Sequence, residues 1–101
     1  MSYKVVISEA AKRDYRKLDN SQRLQVNKSF EKLQLKGGQV GEALRGKLAG
    51  YRKLKHRRLG LRIIFRETPK SIEIIEVIAI GKRSDNEIYS IAEKRIDNLS
   101  D

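Results

Sequence analysis

Tyr51-Arg52-Lys53-Leu54-Lys55-His56-Arg57-Arg58-Leu59-Gly60-Leu61-Arg62-Ile63-Ile64-Phe65-Arg66-Glu67 is the stretch on which the fold turns. Tyr51 to His56 reads as one strand, and Leu61 to Glu67, rich in β-branched and aromatic residues, as a second. Arg57 to Gly60 between them has the length and terminal glycine of a turn, so two antiparallel strands are expected. Successive strand side chains point to opposite faces. Tyr51, Lys53, Lys55 and Arg57 therefore share one face and Leu54 takes the other, while Arg62, Ile64 and Arg66 lie opposite Leu61, Ile63 and Phe65. With Leu54, Ile63 and Phe65 turned toward a helical layer, Lys53, Lys55, Arg57 and Arg62 gather on the open face within two strand widths, roughly 10 Å.

Working outward, Thr68-Pro69-Lys70 holds the only proline and makes the next turn. Ile72 to Ile80 is apolar apart from Glu73 and Glu76, which suits a central strand covered on one side and partly on the other. These three strands form a meander. Ser84-Asp85-Asn86-Glu87 is a capping box, and Ile88, Ile91, Ala92, Arg95, Ile96 and Leu99 give the helix that follows an amphipathic face. Upstream, Gln39 to Gly50 is glycine-rich and reads as an irregular connection. Gln22 to Lys36 and Glu9 to Leu18 carry helical spacing, Gly37-Gly38 and Asp19-Asn20-Ser21 punctuate them, and Ser8 caps the first. Tyr3 to Ile7 is a strand. The order β-α-α-β-β-β-α makes an α+β domain. A small antiparallel sheet carries an N-terminal helical hairpin and a C-terminal helix, in a single domain over residues 1–101.

Charge narrows the partner. The 101 residues hold 23 Lys and Arg against 13 Asp and Glu, a net charge of +10, and such a balance favours nucleic acid, anionic membrane or an acidic protein. From Arg45 through Arg66 there are nine Lys or Arg and no acid. Ordinary surfaces intersperse signs, so this run reads as a phosphate footprint supplied by Arg45, Lys47, Arg52, Arg57 and Arg58, with Lys82 further on. No carboxylate is expected among these cations. There is no cysteine, so disulfides, thiolate metal sites and cysteine nucleophiles are excluded. A lone histidine, His56, falls with Leu54 toward the buried side or its edge, and a two-histidine ribonuclease scheme is impossible. Glu73 and Glu76 are three apart in a strand and face opposite sides, so no metal or other cofactor is expected. Neither a signal peptide nor a membrane span is legible, which makes the cytoplasm the expected compartment.

Two further residues stay open on these grounds alone. Arg83, between the last strand and the last helix, suits either a structural ion pair or an anion contact. Tyr89, one step off the apolar helix face, suits either the edge of the core or a platform for a nucleobase.

Three pieces resemble the RelE-type toxins of bacterial toxin–antitoxin modules. They are Leu44-Arg45-Gly46 leading to Tyr51, Lys53 through Phe65, and Val77-Ile78-Ala79-Ile80-Gly81-Lys82-Arg83 followed by Glu87-Ile88-Tyr89. The middle piece is shared with ParE-like members of the wider superfamily, which inhibit DNA gyrase. The third is more specific to the RNA-cleaving branch. The resemblance implies a ribosome-dependent endoribonuclease that cleaves mRNA in the A site by attack of the ribose 2′-hydroxyl and needs no metal. It implies catalytic roles for Lys53, Lys55, Arg62, Arg83 and Tyr89. It also implies a RelB-like antitoxin, the 70S ribosome and mRNA as partners, and operator DNA bound through the antitoxin. The spacing from Gly46 to Lys53 is one residue longer than in the family, so an ungapped count puts Arg52 at the first basic position. A gyrase inhibitor, or a plain nucleic-acid-binding module on the same fold, is the alternative.

Overall fold

Ser8 sets the first change of direction. Its backbone is extended and its Oγ accepts a hydrogen bond from the Ala11 N–H at 3.1 Å, which ends strand β1 (Lys4–Ile7) and starts helix α1 (Glu9–Arg16). Asp19 and Gln22 then close a reciprocal capping box that opens α2 (Asn20–Lys36), and Gly37 ends it by donating to the Leu33 carbonyl. This computed structural model describes residues 3–68, 71–82 and 87–97, with main chain alone for 71–73. The expected capping box at Ser84 to Glu87 and the residues Pro69, Lys70, Arg83 and Leu99 fall wholly or partly outside them.

The connection after α2 differs from expectation. Instead of being irregular throughout, it contains two short 3-10 turns (Gly38–Val40 and Gly46–Leu48) around a two-residue strand, β2 (Glu42–Ala43). Its alternation is too brief to register as a strand by pattern. Strands β3 (Arg52–His56), β4 (Leu61–Thr68) and β5 (Ser71–Lys82) follow, and then α3 (Glu87–Asp97). The sheet has five strands in the order β1-β5-β4-β3-β2, with β1 parallel to β5 and every other pair antiparallel.

Both faces of the sheet are covered. On one, α1, α2 and the link between them bury Ala11, Leu18, Val26 and Leu33 against Leu54, Ile63, Phe65, Ile75 and Val77. On the other, α3 packs Ile88 and Ala92 onto Ile64, Ile78 and Ala79, with Leu48 and Tyr51 beside them. A bulge makes the second core possible. Ile64 pairs with Ala79 but Phe65 pairs with Val77, so Ile78 and Ala79 face α3 in succession. Among the described residues no helix is long and apolar enough to cross a membrane.

β1 reaches only Ile74 to Val77 of β5, so the next part of that edge has no strand beside it. Asp14 of α1 and Arg95 of α3 close it. Asp14 Oδ2 accepts from the Ile80 N–H at 3.0 Å, Arg95 donates to the Ile78 carbonyl at 2.8 Å, and the two side chains meet through contacts of 2.7 and 3.0 Å. The helix-face pattern places Arg95 with the apolar residues; in the fold it reaches past them to tie α3 to α1. Asp14→Ala strips Arg95 and the Ile80 N–H of their acceptor. We expect it to lower stability by about 2–4 kcal/mol with an unchanged denaturant slope in urea unfolding. A loss under about 0.5 kcal/mol would show that the clasp is dispensable.

Candidate functional site

The strand register brings the basic residues together. Lys55 pairs with Arg62 and Lys53 with Ile64, so Lys53, Lys55 and Arg62 project from the same face of the β3–β4 ribbon, as strand parity predicts. That face is not open as expected, because α3 lies across part of it. Gly81 pairs with Arg62, and a Cβ there would come within 2.8 Å of Ile88 Cδ1. The missing side chain lets α3 settle beside Arg62 and carries Tyr89 over it.

Tyr89 is half-buried at the edge of the second core and serves as the hub of the cations. Its hydroxyl accepts from Arg62 Nη1 and from Lys53 Nζ, the latter at 3.4 Å. The Arg62 guanidinium lies 5.5 Å and the Lys53 ammonium 5.7 Å from the ring centroid, within reach of its π-face. The ring is thus the core-boundary residue that one sequence reading expects, and it also holds two cations. Arg62 Nε is buried and has no hydrogen-bond partner among the described residues. A buried donor of this kind is costly until an acceptor reaches it.

A carboxylate sits among these cations, contrary to expectation. Glu42 on β2 pairs with Lys53, and its carboxylate lies 3.0 Å from Lys55 Nζ and 3.9 Å from Lys53 Nζ. The hydrogen bond from Lys55 is the main cause that holds the Glu42 carboxyl below its ordinary range. Partial desolvation opposes it, and the charges of Lys55, Lys53 and Arg57 assist. Glu42 escaped the sequence reading because it precedes the basic run and its strand is two residues long. Its one signal is to be the sole acid between Glu31 and Glu67.

The remaining basic residues scatter. Arg57 and Arg58 are exposed in the β3–β4 turn next to the lysine pair. Arg45 is exposed at the start of the second 3-10 turn, and Lys47 within it is 2.8 Å from Asp97, whose hydrogen bond raises the lysine's pKa. Arg52 pairs with Phe65 on the opposite face, and its Nη1 donates to the Gly41 carbonyl at 3.1 Å. Lys53, not Arg52, is therefore the residue beside Tyr89. Lys82 pairs with Leu61 and so points away from Arg62. His56 is half-buried, and its Nδ1 accepts from the Leu59 N–H at 3.4 Å in the turn. Arg83 lies outside the described residues.

Over 96 residues the chain is 32% identical to the mRNA interferase toxin RelE of Escherichia coli K12, covering 95% of this chain and 99% of that one. It superposes with a TM-score of 0.75 and 31% identity on free E. coli toxin RelE carrying two arginine-to-alanine substitutions, covering 95% of this chain and 99% of the other. The intact E. coli RelBE toxin–antitoxin complex gives a TM-score of 0.68 at 26% identity, over 80% and 96% of the two chains. No family model matches the sequence.

Two expectations follow from the geometry. A double-mutant cycle over Tyr89→Phe and Arg62→Met should return a coupling of about 1–2 kcal/mol in unfolding free energy, and a value near zero would dissolve the pair. In carbon-detected NMR titration, the Glu42 carboxyl should protonate below the ordinary glutamate range and move back toward it in Lys55→Met. A folded-state pKa that is depressed contributes stability at neutral pH, and that contribution fades as pH falls through the Glu42 midpoint. An unshifted midpoint in the unsubstituted protein would remove the Lys55–Glu42 contact from solution.

Proposed function

The chain belongs to the RelE family of toxins, and on that premise we propose that it is the toxin of a type II toxin–antitoxin module, an mRNA interferase. In this reading it cuts mRNA in the A site of the 70S ribosome, without a metal, and so stops translation in the cytoplasm. The observation that carries the proposal is the convergence of Lys53, Lys55, Arg62 and Tyr89 on one patch drawn from β3, β4 and α3.

The chemistry suits those groups. The ribose 2′-oxygen attacks the adjacent phosphorus and loses its proton while the bond from phosphorus to the 5′-oxygen breaks. The products are a 2′,3′-cyclic phosphate and a free 5′-hydroxyl, whose oxygen takes its proton from solvent. Negative charge builds on the non-bridging oxygens, where fixed cations act most strongly. Arg62 is assigned to receive it, since its guanidinium offers paired donors. Lys55 adds charge beside it. Lys53 is assigned proton removal from the 2′-hydroxyl. Arg83, next to Lys82, is assigned the leaving 5′-oxygen through charge stabilisation, since a guanidinium is a poor acid. Tyr89 holds Arg62 and Lys53 in place and offers its remaining surface to a base.

Arg57 and Arg58 extend the cationic surface past the turn, and Arg45, Lys47, Arg52 and Lys82 are the further proposed RNA contacts. Such groups bind phosphate with a strong salt dependence. Acids and bases this weak leave much of the rate to geometry, which the ribosome supplies by holding the nucleotide in line. The partner that silences the protein is a RelB-like antitoxin, a reading supported by the E. coli relative solved as a RelBE complex. Operator DNA would be bound through that antitoxin.

Primer extension on a defined mRNA, with and without programmed ribosomes, tests the proposal. Discrete A-site cuts that require ribosomes are expected, and Arg62→Ala should slow them by about 10²–10³-fold, as does loss of one preorganised charge-stabilising donor elsewhere. Intact mRNA in every lane, from folded and antitoxin-free protein, would overturn the nuclease reading.

A further inference from the structure

β2 is too short to stabilise a sheet by its own ladder, yet three devices hold it. Gly41 passes so close to β4 that a Cβ would lie 2.6 Å from Phe65 Cζ and 3.0 Å from the Lys53 carbonyl oxygen. Arg52 ties the Gly41 carbonyl from behind, and the Leu44 N–H donates to the Tyr51 carbonyl at 3.0 Å. Together they place one side chain, Glu42, opposite Lys53 with its carboxylate reaching both lysines. Arg52, proposed above as an RNA contact, also lends its Nη1 to this support.

Lys53 and Lys55 stand two apart on one strand with Arg57 and Arg62 close by, and without a counter-charge their ammonium groups repel and spread toward solvent. Both lysine side chains are largely covered (20% and 28% exposed), whereas Glu42 keeps 57% exposure. The carboxylate is thus a reachable clamp on two cations that are themselves confined. We propose that Glu42 is a positioning residue of the cleavage site, which gathers Lys53 and Lys55 beside Arg62 and Tyr89 before RNA arrives. The inference rests on the endoribonuclease reading and adds to it a residue that acts through the lysines. It also gives β2, Gly41 and Arg52 a common purpose.

The test separates rate from affinity. On programmed ribosomes with protein in excess, Glu42→Ala should cut discrete A-site codons about 10–100-fold more slowly, the effect of a misplaced catalytic group. Its apparent affinity should hold or rise, with the salt dependence steeper by about one ion, because an anion has left the phosphate site. Glu42→Gln keeps an oxygen that can accept from Lys55 and should fall between the two. Thermal melting of each variant by circular dichroism confirms the fold. An unchanged or faster rate in Glu42→Ala would overturn the proposal and make the carboxylate a bystander or a competitor of phosphate. So would a Glu42→Gln as slow as Glu42→Ala that has also lost the acidic limb of the pH–rate profile, since the carboxylate would then take the proton itself. Cleavage absent from the unsubstituted protein would instead bring down the endoribonuclease reading, and the positioning role with it.

Discussion

Strand β5 must satisfy two cores and two edges at once, and its neighbours are unequal to the task. β4 runs beside most of it, but β1 pairs only with Ile74 to Val77. Where β1 stops, the bulge at Ile78 and Ala79 turns two successive side chains toward α3, and the Asp14–Arg95 clasp takes up the main-chain groups that β1 leaves bare. A buried edge without partners would be costly. Closing it with side chains from two helices on opposite faces also fixes where α3 lies. The position of Tyr89, and through it of Arg62 and Lys53, therefore depends on an ion pair at the far side of the helix.

The site is built by register rather than by any local motif. Lys53 and Lys55 come from β3, Arg62 from β4, Tyr89 from α3 and Glu42 from β2. A slip of one residue in the β3–β4 pairing would send the lysines into the helical core and Leu54 toward the cation face. The pairing of Leu54 with Ile63 in the first core guards against that slip, so the hydrophobic pattern protects the basic one.

Much of this could be read from the chain. The caps at Ser8 and Asp19, the stop at Gly37 and the alternation in Lys53 to Arg62 are local signals, and strand parity carried the last of them to a set of neighbours in space. What escaped is non-local. Two residues cannot display a period, so β2 and its glutamate were invisible. Whether Arg95 faces solvent or an acid on another helix depends on a contact with Asp14 across most of the sequence. Parity likewise says which residues share a face but not what lies over it, and α3 turned an expected open surface into a half-covered one. Arg83 and Tyr89 drew attention by their spacing. Of the two, Tyr89 is seen to bind the cations, while Arg83 lies outside the described residues.

The parallel pairing of β1 with β5 sets Lys4 beside Ile74. During synthesis, Val5, Val6 and Ile7 must wait for nearly the whole sheet to be made before they find their neighbours. Until then the local contacts of the α1–α2 hairpin and the β3–β4 turn are the ones within reach. Pairings so distant along a chain are slow to form, because the loop between them must close before any contact rewards it. The strand made before the other four is thus among the last of them to join the sheet.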